Sequence, residues 1–116
     1  MKKKQKFIIA FDTICEGWQT GNDDEGKPPL YDSEQEAFME LFSDALSMLE
    51  GYSPAERREV DVSAKLFKEM KALYKEKDYE KMKKFLDENG ECNVNDEFIV
   101  PEEEYIPNRK TIYTGQ

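Results

Sequence analysis

The stretch from Ser33 to Gly51 constrains this chain more than any other. Ser33 precedes Glu34-Gln35-Glu36, and Ser followed three residues later by Glu is a capping box. In that motif the hydroxyl accepts the amide of Glu36, and the Glu36 carboxylate reaches back to the Ser33 amide. Ala37, Phe38, Leu41, Phe42, Ala45, Leu46, Met48 and Leu49 then recur at helical spacing. Gly51 suits the left-handed position after a last turn. The spacing predicts a helix from Glu34 to Glu50 with one apolar stripe to cover.

The flanks read as strand. Lys6 to Cys15 places Phe7, Ile9 and Phe11 on one face and Ile8, Ala10 and Asp12 on the other. Both faces are largely apolar, which suits a strand buried on two sides. Gly17-Trp18-Gln19-Thr20 reads as its continuation past a bulge, because Gly inside a strand often marks one. The polar run from Thr20 to Lys27, bracketed by Gly21 and Gly26, reads as a hairpin tip. Pro28-Pro29 then limits the return, near Leu30-Tyr31, to a short edge strand. Further on, Glu97 to Val100 is a strand stopped by Pro101. Glu104-Tyr105-Ile106 and Lys110 to Tyr113 flank a Pro107-Asn108-Arg109 turn.

Helical signals fill the middle. Ser53-Pro54-Ala55-Glu56 is a second capping box opening a short turn to about Glu59. Asp61 is the candidate cap of a helix striped by Val62, Leu66, Phe67, Met70, Leu73 and Tyr74, ending near Glu76. Asp78 caps a third helix carrying Tyr79, Met82, Phe85 and Leu86, which stops at Asn89-Gly90. Strands, helices, strands imply an α+β domain. The expected architecture is a small antiparallel sheet of three to four strands with two or three helices packed on one face. Residues 1–116 are read as a single domain, with 1–5 a flexible basic tail.

Composition narrows the function. Leu, Ile, Val and Phe number 24 of 116, so the core must be small and lean on the 14 aromatic residues. No apolar run approaches the roughly 18 residues of a membrane helix. The basic start at Lys2, Lys3, Lys4 and Lys6 leads into only five apolar residues, short of the roughly 7–15 of a signal core. The cytoplasm is therefore the expected location. Cys15 and Cys92 are read as free thiols, with a disulfide between them the disfavoured alternative.

Histidine is absent, which removes the usual general base and the commonest metal ligand. Neither Cys has an imidazole partner to make it a nucleophile. Asn22-Asp23-Asp24-Glu25 and the alternating Asn93, Asn95 and Glu97 offer oxygen ligands, but without the spacing of a calcium loop. No catalytic, metal or cofactor residue is assigned, and no enzyme is expected. A metal protein or an enzyme using Asp, Glu and Cys is the alternative of a different class.

Charge is the strongest remaining signal. The net charge is -9, and residues 12–60 carry 13 acidic against 3 basic groups. Glu36, Glu40 and Asp44, four apart, make one ridge on the first helix. Asp23, Asp24 and Glu25 extend the acidic surface, and Trp18 is a candidate anchor if exposed, a core cap if buried. Such a surface suits a protein partner with a basic face, mimicry of nucleic-acid phosphates included. Eight lysines between Lys65 and Lys84 form an opposing basic stretch. They read as a solvated face with Glu–Lys pairs, or else as a direct nucleic-acid contact.

Thr13-Ile14-Cys15-Glu16-Gly17-Trp18-Gln19, followed by Tyr31-Asp32-Ser33-Glu34-Gln35-Glu36-Ala37, resembles a pattern in small uncharacterised bacterial proteins, often of phage or mobile-element origin. The resemblance covers about the first third of the chain and brings no site residues. It implies an accessory protein of a mobile element. The combined expectation is a small acidic non-enzymatic binding protein.

Overall fold

The strands at the two flanks meet in one sheet, and the chain between them is helical. A computed structural model describes residues 5–13, 17–21 and 28–105. The elements are β1 (Phe7–Thr13), β2 (Gly17–Gln19), α1 (Glu34–Gly51), α2 (Pro54–Glu59), α3 (Ala64–Glu76), α4 (Tyr79–Glu88) and β3 (Glu97–Pro101). Single 3-10 turns occupy Gly90–Cys92 and Glu102–Glu104. Among the described residues the fold is α+β with a three-stranded antiparallel sheet, as expected, and four helices. The additional helix is α2, read from sequence as a turn because it is six residues long. Contacts divide the chain into two compact units, Met1–Ala37 with Asp96–Gln116, and Phe38–Asn95.

In the first unit the strand order is β2-β1-β3. Ile8 lies opposite Val100, Ala10 opposite Phe98 and Asp12 opposite Trp18. Directly opposed residues share a face, and i, i+2 residues share it too. Ile8, Ala10 and Val100 accordingly form a buried cluster, 2%, 0% and 7% exposed, and Trp18, Phe98 and Tyr105 pack against it. Phe7, Ile9 and Phe11, on the other face, are half-buried rather than buried. Pro101 cannot donate to the ladder, so the next amide does: Glu102 N–H bonds the Lys6 carbonyl at 2.8 Å.

Three expectations change here. The segment from Gly17 to Gln19 does not continue β1; it runs antiparallel to it, pairing Thr13 with Gly17. Gly17 holds φ 73°, a left-handed conformation that glycine adopts freely. The return strand near Tyr31 shrinks to one bridge, in which Phe7 and Tyr31 exchange two 2.9 Å hydrogen bonds. Glu102–Glu104 forms a 3-10 turn before Tyr105. The proposed hairpin tip at 22–27, Cys15, the basic tail at Lys2 to Lys4, and the strand candidate at 110–113 lie outside the described residues.

In the helical unit Phe42 is the hub. It is fully buried, stacks on Tyr74 of α3 at 6.2 Å and 6°, and meets Phe85 of α4 at 6.3 Å. Phe38, one turn earlier, lies edge-on to Tyr79 at 5.4 Å. Aromatic rings thus supply the contacts that aliphatic side chains provide in richer cores. Met48, counted in the apolar stripe, is 41% exposed because it lies at the stripe's flank.

The caps show which local signals won. Ser53 and Glu56 form the predicted capping box, with Glu56 N–H to Ser53 Oγ at 3.2 Å and Ser53 N–H to Glu56 Oε1 at 2.9 Å. Asp78 caps α4 through Lys81 N–H at 3.2 Å. Ser63, not Asp61, caps α3, accepting Leu66 N–H at 3.1 Å. Asp61 sits at φ 64° in the turn that carries Val62 into the interior, where Val62 is 0% exposed. Gly51 is the last residue of α1 and not a left-handed cap; Lys77, at φ 57°, takes that conformation at the end of α3.

Candidate functional site

Two charged features stand out, each built by one or two helices. The first is the acidic ridge of α1. Glu36 and Glu40 are exposed, and Asp44 is half-buried. Glu36 also takes part in the start of the helix: its amide donates to Ser33 Oγ at 3.0 Å, and its Oε2 accepts Asp32 N–H at 3.3 Å. The carboxylate reaches one residue beyond the predicted Ser33 amide. Among the described residues the ion pairs are Lys6–Asp32, Glu76–Lys81 and Lys84–Glu88, and none of them involves Glu36, Glu40 or Asp44.

Helix geometry explains why the ridge is uneven. Four residues turn about 400°, so each i, i+4 step drifts by about 40°. Two steps carry the row from the solvent side at Glu36 to the edge of the apolar stripe at Asp44. Burial therefore raises the Asp44 pKa above the usual Asp range, and the neighbouring Glu40 charge and a hydrogen bond with Glu40 raise it further. A carboxyl that binds its proton more tightly when folded adds stability at low pH and loses it as pH rises through the folded pKa. Asp44→Asn should therefore raise the melting temperature at pH 7 by about 1–3 °C, since water still screens the carboxyl. The gain should fade below about pH 4. Melts from pH 3 to 7 test this; an unchanged or lower value at pH 7 contradicts it.

The second feature was not foreseen from the sequence. A cleft of about 310 Å³ opens between α2 and α3. Ala64, Phe67, Lys68 and Lys71 face it from α3, spaced three and four residues apart as one helix face requires. Arg57 and Arg58 reach it from α2, with Pro54 and Val62 completing the walls. Among the described residues no carboxylate lines it.

Arg57 is held in place from two sides. Its Nη1 donates to the carbonyls of Leu49 at 2.8 Å and Tyr52 at 2.7 Å, satisfying acceptors at the end of α1. Its guanidinium carbon lies 4.3 Å from the Phe67 ring centre, and Lys71 Nζ lies 4.7 Å from the same centre. A guanidinium has five N–H donors, and Nη1 uses two. The remaining three are fixed in direction by these contacts. The sequence signal was there: Arg57 and Arg58 are two of the chain's three arginines, adjacent within its most acidic stretch.

The chain matches no protein-family model, no curated protein and no solved structure.

The other candidates fall as follows. Trp18 is half-buried in the sheet, edge-on to Phe98 at 5.1 Å and stacked with Tyr105 at 6.4 Å, so its ring builds the core wall. Asp23, Asp24 and Glu25 lie outside the described residues. The lysines from Lys65 to Lys84 are exposed, and among the described residues only Lys81 and Lys84 of them pair with a carboxylate, each at 4.0 Å. Lys71, Lys77 and Lys83 lie over Phe67, Tyr74 and Tyr79 instead. Among the described residues no three Cys, Asp or Glu side chains gather as a metal site would need. No described helix is long and apolar enough to cross a membrane.

Proposed function

We propose that the protein is a small non-enzymatic binding protein of the cytoplasm that meets a basic protein surface through the acidic side of α1. The observation that carries this reading is the pair Glu36 and Glu40, both exposed on α1 and, among the described residues, in no ion pair. Fixed carboxylates of this kind steer an oppositely charged partner and set its register on docking. Asp44 favours the same reading, because a half-buried acid beside another acid costs stability that a neutral residue would not. The resemblance of the first third of the chain to mobile-element proteins makes an accessory or inhibitor the form this function takes.

The test compares wild-type protein with the Glu36→Gln, Glu40→Gln double variant as immobilised bait. Gln keeps an acceptor for the Asp32 amide, so the helix start survives. The expected result is a basic protein retained at about 0.1 M salt, released near 1 M where the Debye length falls to about 3 Å, and not held by the variant. Retention indifferent to salt, or equal on the variant, refutes the electrostatic interface.

A further inference from the structure

The α2–α3 cleft points to a second kind of ligand, independent of the acidic ridge. We propose that it binds an organic phosphate monoester, its phosphate held by Arg57 and Lys71 and its apolar body against the exposed Pro54 and Ala64. Four cations surround one concavity in a chain of net charge -9, and among the described residues its lining holds no acid to neutralise them. A doubly charged head balances such a set better than a monoanion.

Preorganisation strengthens the case. Two backbone carbonyls and the Phe67 ring fix the Arg57 guanidinium before any ligand arrives. Its free N–H groups can then meet phosphate oxygens as a planar fork, with little further ordering. Lys71, over the same ring, adds a point charge, and Arg58 and Lys68 complete the rim. The apolar walls are what distinguish an organic phosphate from the free ion. At about 310 Å³ the cleft lies at the small end of the roughly 300–1,000 Å³ typical of ligand sites.

The experiment is an NMR titration of the full chain with phenyl phosphate, inorganic phosphate and benzyl alcohol. Phenyl phosphate should move the amide signals around Arg57, Phe67 and Lys71, and bind at least tenfold more tightly than either half alone. Lys68→Gln with Lys71→Gln should weaken it tenfold or more. Lys75→Gln with Lys84→Gln, the same loss of charge away from the cleft, should leave it unchanged. All four positions are exposed, so neither pair disturbs a core. Absence of shifts at 10-millimolar-scale phenyl phosphate overturns the proposal, as do equal affinities for phenyl and inorganic phosphate or equal losses in both variant pairs. Tighter binding of a short DNA duplex than of phenyl phosphate would also overturn it, making the cleft a backbone contact.

Discussion

Phe42→Ala is expected to destabilise the protein by about 3–5 kcal/mol, the usual cost of emptying a buried aromatic site. Phe42 is 0% exposed and lies against Phe38, Tyr74 and Phe85, so its loss removes contacts with three rings. Domains of this size hold only about 5–15 kcal/mol of net stability, so one substitution would remove a large part of it. The urea midpoint should fall by about 2 M or more. Met48→Ala on the same helix provides the contrast. Met48 is 41% exposed, and its replacement should stay within about 0.5 kcal/mol. A Phe42→Ala loss below about 1 kcal/mol would mean that the ring cluster is not what holds the helices.

The second large effect concerns Cys92. Its side chain is buried, and burial, with a smaller contribution from the Glu91 charge, pushes the thiol up to about 11. The thiolate is the reactive form, and an ordinary Cys titrates near 8.5. In a Cys15→Ser background at pH 7.5, Cys92 should react with iodoacetamide at least about 100-fold more slowly in the folded protein than in urea. Burial and the raised pKa act in the same direction, so the ratio is a lower bound. Comparable rates in the two conditions would refute the buried placement. A raised thiol pKa also means that the folded state keeps the neutral form longer. Stability attributable to this group is present below the unfolded pKa near 8.5 and is lost as pH rises from there through the folded value of about 11.

Local chemistry was legible in the sequence where it depended on near neighbours alone. The cap at Ser53, the cap at Asp78 and the stripe of α1 need only three or four residues to be read, and all three appear. Where two local signals competed, the choice between them was not legible. Asp61 and Ser63 both suit a cap, and the turn that buries Val62 requires Asp61 elsewhere. The direction of β2 depended on pairing across a sheet, which periodicity does not report. The α1 ridge was visible as spacing, but its drift into the buried face emerges only when the helical angle is followed to Asp44. The cleft was hidden for another reason. Arg57 belongs to it because the end of α1, several residues earlier, presents two carbonyls for the side chain to hold.

The pairing of Ile8 with Val100 has a consequence for how the protein is made. The central strand emerges from the ribosome before α1–α4, whereas its partner on one side, β3, follows only after those four helices have been translated. Until then that edge of Phe7–Thr13 carries open amides and carbonyls, the exposed template through which nascent chains associate. A chain stalled before Glu97 would present this edge indefinitely, so products truncated there should be the aggregating species in expression, and chaperone demand should fall once Glu97–Pro101 has been made.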